Sequence, residues 1–185
     1  RDAGGVGVVV DAEAGGGGGV TKLPVAILGA TGTVGQKFIA LLAEHPWFEI
    51  VQLAASAARD GKRFGDEVRW RELTPLPEHI AEMRLTTVAP IAGVRIAFSA
   101  LDASVAREVE PAFAHAGVFV VSNASAFRMA DDVPLLIPEV NADHLSLLAR
   151  QQRERGWTGA IVVNPNCSTA ALVTAHDLEI DTSRA

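Results

Sequence analysis

The chain has 185 residues, with 16 Lys and Arg against 22 Asp and Glu, so that its formal net charge is -6 at pH 7. This length allows one substantial core, or one nucleotide-binding domain with part of a second. The acidic balance argues against a general phosphate-backbone surface, and we expect no nucleic-acid partner. A single cysteine excludes an intrachain disulfide and a multi-cysteine zinc site. No stretch approaches the roughly 20 apolar residues of a membrane helix, so we expect a soluble, cytoplasmic protein without metal or membrane contacts.

Apolar strands alternate with helical segments after a glycine-rich beginning. Residues 1–21 include the unbroken run Gly15 to Gly19 and are expected to form a flexible leader. Further along, we predict strands at 25–28, 49–55, 84–88, 94–100, 118–121 and 160–163, and helices at 33–44, 103–116, 142–155 and 167–176. Continuous apolar strands between helices predict an α/β, Rossmann-like, doubly wound and mostly parallel sheet with helices on both faces.

The turn after the first predicted strand carries glycines at a spacing that suits a phosphate. Gly29, Gly32 and Gly35 lie where the strand passes into a helix. Glycine lets the backbone approach an anion, and a helix start offers unpaired N–H groups. The spacing differs from the more common G-x-G-x-x-G, and a tight turn that only allows close packing is the alternative. The strand and helix context favours a dinucleotide pyrophosphate.

The end of the second predicted strand indicates which dinucleotide would bind. An Asp or Glu is typical there when the ribose of NAD is bound. This chain instead has Ser56, followed by Arg59, Lys62 and Arg63. A hydroxyl and cations can bind the 2′-phosphate of NADP, whereas a carboxylate would repel it. We therefore predict NADP rather than NAD, with a solvated basic loop as the alternative.

The only cysteine follows the last predicted strand, in the run Asn164-Pro165-Asn166-Cys167-Ser168-Thr169. A helix N-terminus favours the thiolate, which is the nucleophilic form. The N–H groups of Ser168 and Thr169, and the side chain of Asn166, could stabilise an oxyanion. The alternative is a buried structural cysteine. None of the histidines is placed as a base, since His176 would lie about 180° around the helix from Cys167.

Five segments together resemble aspartate-semialdehyde dehydrogenase, over about residues 25–173. They are Gly29-Ala30-Thr31-Gly32-Thr33-Val34-Gly35, Ala54-Ala55-Ser56, Ser99-Ala100-Leu101-Asp102, Ser122-Asn123-Ala124-Ser125 and the cysteine run. The resemblance implies that Thr31, Gly32, Thr33, Val34 and Gly35 hold the NADP phosphates. Ser56 and Arg59 would surround the 2′-phosphate.

The same resemblance assigns the remaining site residues. It implies that Ser99, Ala100 and Asn123 line the nicotinamide side. Arg128 would bind the phosphate of the substrate or inorganic phosphate, the alternative being a surface arginine beside Asp131 and Asp132. Cys167 would form a thioacyl intermediate, and Asn166 would orient the acyl group.

By this resemblance the reaction is reduction of L-aspartyl 4-phosphate by NADPH to L-aspartate 4-semialdehyde, with release of phosphate. It belongs to lysine, threonine and methionine biosynthesis, and the family implies a homo-oligomer. We expect residues 22–163 to form the NADP-binding domain, and residues 164–185 to hold the cysteine segment and the start of a truncated dimerisation and catalytic domain. Family members are roughly twice as long, an ordinary two-domain size, so the base histidine and the carboxylate-binding arginine are expected to be missing. A non-catalytic NADP-binding module, and a reductase of another acyl phosphate such as N-acetylglutamyl phosphate, are the alternatives.

Overall fold

The computed structural model describes residues 21–181, with side chains as far as residue 175. The strands are β1 Leu23–Leu28, β2 Phe48–Ala54, β3 Leu85–Thr86, β4 Ile96–Ser99, β5 Phe119–Ser122 and β6 Ala160–Val163. The α-helices are α1 Thr33–Leu42, α2 Phe64–Glu67, α3 Glu78–Ala81, α4 Ala103–His115, α5 Pro138–Asn141, α6 Leu147–Arg155 and α7 Cys167–Asp181. Residues 1–20 of the expected leader, and the side chain of His176, lie outside the described residues. Among the helices of 21–181, none has the length and hydropathy that a bilayer-spanning segment requires.

The six strands form one parallel sheet in the order β3-β2-β1-β4-β5-β6. The chain moves outward from β1 in one direction and then crosses back to continue from β4 in the other. This is the doubly wound topology predicted from the alternating elements, and the fold prediction is confirmed. In this topology the strand order reverses between β1 and β4, and ligands generally bind beside that point at the carboxyl edge of the sheet.

Two apolar clusters cover the opposite faces of the sheet, because alternate residues of a strand point to opposite sides. Val25 and Ile27 of β1 pack with residues of α1, α2 and α3. Ala26 and Leu28 pack with Phe113 of α4 and with the segment after β5. Each fully buried Ile, Leu or Phe contributes about 1.5–3 kcal/mol of hydrophobic stabilisation. The sheet is therefore anchored from both sides.

The region 138–155 differs from the single helix predicted at 142–155. It divides into α5, a 3-10 turn at Ala142–Ser146, and α6. Asn141 leaves the helical conformation, with φ -141°, and its amide bonds the backbone instead. Asn141 Nδ2 donates to the Leu135 carbonyl at 2.8 Å, and Oδ1 accepts from the Ile137 N–H at 2.8 Å. This local pairing competes with a helix, as Asn side chains often do.

Side chains of α6 fasten the segment that follows β5. Arg155 binds both carboxylate oxygens of Asp132, with Nη2 to Oδ1 at 2.6 Å. Its guanidinium also lies over the rings of Phe127 and Trp157. Gln151, which is 0% exposed, donates to the carbonyls of Asp132 and Ile161. The loop that carries Arg128 is thereby held against β6.

We expect Asp132→Asn to lower the free energy of unfolding by about 2 kcal/mol, because a charge-assisted pair is lost and the Arg155 charge is left without its carboxylate. The hydrogen bond from Arg155 lowers the pKa of Asp132. Its stabilisation is thus present above the unfolded pKa, about 3.9, and is lost as pH falls through the lower folded pKa. Urea unfolding of wild type and variant should differ at pH 7 and converge in strong acid.

Asp131→Asn is the matched control, because the neighbouring Asp131 is exposed. It should unfold within about 0.5 kcal/mol of wild type, as most surface substitutions do. Equal urea midpoints for the two asparagine variants at pH 7 would contradict this role of the Asp132–Arg155 pair.

Candidate active site

Four segments meet at the carboxyl edge of the sheet, each directly after a parallel strand. The first is the glycine turn after β1. The others begin at Ala100, Asn123 and Asn164, and each of these residues donates its backbone N–H to the last carbonyl of the neighbouring strand. The bonds run from Ala100 to Leu28 at 2.8 Å, from Asn123 to Ser99 at 3.0 Å and from Asn164 to Ser122 at 2.9 Å. The strand order alone therefore brings these segments together.

The glycine turn leaves the start of α1 open. Gly29 has φ +79°, and a Cβ at Gly35 would lie 2.2 Å from the Gly29 carbonyl oxygen. A side chain at either position would therefore disturb the turn. Gly32 is the exposed residue before the helix, and no side chain among the described residues caps the first turn. The N–H groups there, with exposed Thr33 and Val34 beside them, fit an anion such as a pyrophosphate.

Gln36 is a residue of this turn that the sequence analysis missed. It is 2% exposed. Its Nε2 donates to the Thr31 carbonyl at 3.1 Å, and its Oε1 accepts from the Arg71 N–H at 2.9 Å. Gln36 thus holds the glycine turn to the loop before α3. The sequence contained one indication of this role: Gln36 is a polar residue one helical turn before Ile39, on the face of α1 that is otherwise apolar.

The predicted cations separate into two groups. Arg59 reaches the glycine turn, with Nη1 donating to Thr31 Oγ1 at 3.3 Å. Arg59 and Lys62 both pair with Glu67, at 3.3 and 3.1 Å. Ser56 is exposed at the start of the 3-10 turn Ala57–Arg59. Ser56 and Arg59 therefore flank the turn from the side of β2.

Arg63 does not join this group, which corrects the expectation from the basic loop. Its guanidinium bonds Glu82 and Asp66, and these acids raise the pKa of Arg63. The Phe64 backbone N–H bonds the Met83 carbonyl at 2.8 Å. Because this pairing fixes the segment beside Arg63 to the edge of β3, Arg63 faces acids rather than the turn.

Cys167 is exposed and is the first residue of α7. Asn166 caps this helix: its backbone carbonyl accepts from Ala170 N–H at 2.9 Å, and its Oδ1 accepts from Thr169 N–H at 2.9 Å. The Thr169 N–H is therefore engaged and does not serve an oxyanion, contrary to expectation. The N–H groups of Cys167 and Ser168 and the Nδ2 group of Asn166 are the remaining candidates.

One cleft of about 540 Å³ joins the helix start of α1 to the cysteine. Val34, from the glycine turn, and Cys167 both line it. The other lining residues are Asn123, Arg128, Leu136, Ile137, Pro138, Asn164, Pro165, Asn166 and Ala170. The apolar wall from 136 to 138 was not predicted, because it lies where a loop enters the short helix α5 and has no periodic pattern. The thiol and Val34, in the first turn of α1, thus line the same opening.

Arg128 is directed into the cleft by two backbone carbonyls. Its Nε donates to the Asn164 carbonyl and its Nη2 to the Asn123 carbonyl, both at 2.9 Å. Asn164 Nδ2 also donates to Asn123 Oδ1, at 2.6 Å. The alternative of a surface arginine beside Asp131 and Asp132 does not describe this arrangement, since Arg128 bonds two backbone carbonyls and Asp132 binds Arg155. Arg128 therefore offers a fixed positive charge to an anion near Cys167.

Ser99 occupies a different position from the one expected. Its side chain is 0% exposed, so its hydroxyl does not line the cleft; its carbonyl accepts the N–H of Asn123. This follows from the register of β4, in which Ser99 points toward α4. Ala100 comes next in the chain, and its carbonyl lies against Gly29. Asn123 does line the cleft.

Comparison with known proteins identifies the family. The family model described as the NAD-binding domain of semialdehyde dehydrogenase matches residues 24–148. The aspartate-semialdehyde dehydrogenase of Archaeoglobus fulgidus is 55% identical over 153 residues, which cover 82% of this chain and 45% of that protein. The Methanothermobacter thermautotrophicus enzyme of the same name is 53% identical, with 80% and 43% covered.

A solved structure agrees with these sequences. The crystal structure of aspartate-semialdehyde dehydrogenase with NADP from Candida albicans has a TM-score of 0.75 and 40% identity, covering 81% of this chain and 44% of that chain. The chain thus spans less than half the length of the relatives it matches. It belongs to the semialdehyde dehydrogenase family, through that family's NAD-binding domain, and the predicted resemblance to aspartate-semialdehyde dehydrogenase is confirmed.

Proposed function

We propose that this chain binds NADPH and uses Cys167 in the reduction of L-aspartyl 4-phosphate to L-aspartate 4-semialdehyde. The observation that carries the proposal is the shared cleft: Val34 of the glycine turn and Cys167 line the same opening. The family, and relatives named for this reaction, support the choice of substrate. We further propose that the chain works in the cytoplasm, in a homo-oligomer, for lysine, threonine and methionine biosynthesis.

The residues around the glycine turn fit the cofactor. The open helix start would hold the pyrophosphate through backbone N–H groups of Thr31 to Gly35. Ser56 and Arg59 would bind the 2′-phosphate. The Arg59 guanidinium already lies beside the glycine turn, where it bonds Thr31. The Candida relative whose crystal structure contains NADP supports this preference. When bound, NADPH would supply a hydride to an acyl carbon.

Cys167 would act on the acyl phosphate. Its thiolate attacks the carbonyl carbon, a carbon–sulfur bond forms, and the carbon–oxygen bond to phosphate breaks, leaving a thioester and inorganic phosphate. The N–H groups at the start of α7 face the developing oxyanion. Arg128, held by two carbonyls, stabilises the departing phosphate. The Asn166 side chain fixes the helix start and with it the sulfur.

We expect Gly32→Ala to weaken NADPH binding about tenfold or more without loss of stability. The φ of Gly32 is -76°, which suits alanine, and its Cβ would lie at 3.4 Å from the Gly29 carbonyl oxygen. The fold therefore accepts the methyl group, but the methyl occupies the exposed side of the turn where the pyrophosphate would approach. NADPH fluorescence titration and urea unfolding measure the two effects.

Gly93→Ala is the control, because it should change stability and leave NADPH affinity unchanged, the reverse of Gly32→Ala. Gly93 has φ +89°, with nothing within 4 Å of its added Cβ. It precedes β4 and therefore lies at the amino edge of the sheet, opposite the carboxyl edge that carries the cleft. It should lose stability through backbone strain and keep wild-type NADPH affinity. Wild-type NADPH affinity in Gly32→Ala would contradict the assignment of the glycine turn as the pyrophosphate site.

Incubation of the chain with L-aspartyl 4-phosphate should release phosphate and leave an acyl group on Cys167. Mass spectrometry of the intact chain and a phosphate assay report the two products. Cys167→Ser should form no thioester, and Arg128→Met should slow acylation about tenfold or more, because a charge-assisted contact to the leaving group is lost. N-acetylglutamyl phosphate serves as the competing substrate.

The outcomes distinguish the alternatives. Faster acylation by N-acetylglutamyl phosphate would change the substrate and keep the reaction class. NADPH binding without acylation by either compound would contradict the proposed chemistry and leave a cofactor-binding module.

A further inference from the structure

A buried carboxyl group lies behind the strand ends that form the cleft. Glu110 of α4 is 0% exposed, as are Ser99 and Ser122, the last residues of β4 and β5. The two serines are register partners in the sheet. Ser122 Oγ donates to Glu110 Oε1 at 2.6 Å. Glu110 Oε2 and Ser99 Oγ have no partner at full hydrogen-bond geometry among the described residues, although Ser99 is close enough to oppose the effect of burial on the pKa of Glu110. Three polar groups are thus enclosed between α4 and the sheet.

The carboxyl group connects to the cleft through Ser122. The Ser122 hydroxyl also accepts the Ala124 N–H at 3.1 Å, so it holds the backbone on the far side of Asn123. The Asn123 N–H bonds the Ser99 carbonyl at 3.0 Å. Asn123 in turn gives its carbonyl to Arg128 and its Oδ1 to Asn164.

An apolar residue would satisfy the packing at position 110, since Phe113 and Ala114 of the same helix are buried in an apolar cluster. Only a group with an acceptor oxygen satisfies the Ser122 hydroxyl. Burial raises the pKa of Glu110, and no cation is among the causes of that shift.

We propose that Glu110 is a positioning residue of the cleft, which acts through Ser122 to set the Asn123 turn and thereby the direction of Arg128 and Asn164. It does not touch the ligand. The inference rests on the proposed function only in taking phosphate as the anion that Arg128 meets.

Three variants of the full chain test the proposal. Glu110→Gln keeps an acceptor oxygen for Ser122. Glu110→Met keeps length and packing but removes the acceptor. Phe113→Leu is the matched control, because it disturbs the same helix and the same apolar cluster but removes no hydrogen bond of the Asn123 turn. Urea unfolding measures the global stability of all three variants, so that their hydrogen exchange can be compared at equal stability.

The first readout needs no ligand. Hydrogen exchange at residues 123–128, compared under conditions of equal global stability, should be at least about tenfold faster in Glu110→Met, which corresponds to about 1.4 kcal/mol. Glu110→Gln and Phe113→Leu should exchange like wild type. Unchanged exchange in Glu110→Met, or equal acceleration in Phe113→Leu, would overturn the proposal.

The second readout separates this proposal from the function. Inorganic phosphate should protect Cys167 of wild type from iodoacetamide, and the protecting concentration should rise about tenfold in Glu110→Met but not in Glu110→Gln. Failure of phosphate to protect wild type would count against the proposed phosphate site at Arg128, while the exchange result would still decide the role of Glu110. Equal protecting concentrations in Glu110→Met and wild type would overturn the positioning of Arg128.

Discussion

The parallel alignment of the strands is the constraint on which the site depends. Every strand delivers its following residue to the same edge of the sheet, and after five of the six strands, all but β3, the N–H of that residue bonds the last carbonyl of the strand beside it. The bonds made by Ala100, Asn123 and Asn164 repeat this pattern across β1, β4, β5 and β6. A glycine turn and a cysteine that are far apart in the chain are thereby brought to one cleft.

Buried polar side chains then fix the segments that the sheet brings together. Gln36 holds the glycine turn, Gln151 holds the backbone at Asp132 and Ile161, and Glu110 holds the end of β5. All three are nearly or fully buried. A buried polar group left unpaired costs about 1–3 kcal/mol. Each of these side chains therefore favours the backbone arrangement that keeps its hydrogen bonds over arrangements that break them. Hydrophobic packing stabilises the sheet, and these hydrogen bonds select the shape of its edge.

The sequence predicted the parts of the molecule that repeat a local pattern. Apolar strands, the helix after Gly32 and the helix start at Cys167 each have a short-range signal, and the structure has all of them. The break at Asn141 depends on bonds to Leu135 and Ile137 in a loop. The separation of Arg59 from Arg63 depends on Glu67 and Glu82, which approach only after folding.

Side-chain direction at strand ends was the second difficulty. Ser99 and Asn123 both stand at the carboxyl edge, and the motif suggested one shared role. The register of β4 turns Ser99 into the interior, while Asn123 follows the end of β5 and lines the cleft. Because side chains alternate along a strand, a shift of one residue decides whether a side chain points into the core or lies at the edge where a ligand binds. The spacing of residues in a motif does not determine which of the two directions a side chain takes.

A crystal structure of the full chain with NADPH bound measures the central claim, that one cofactor spans from the glycine turn to the thiol. The account predicts the pyrophosphate on the N–H groups before α1, the 2′-phosphate against Ser56 and Arg59, and the nicotinamide ring in contact with Cys167. A cofactor whose nicotinamide lies outside the cleft lined by Val34 and Cys167 would contradict it.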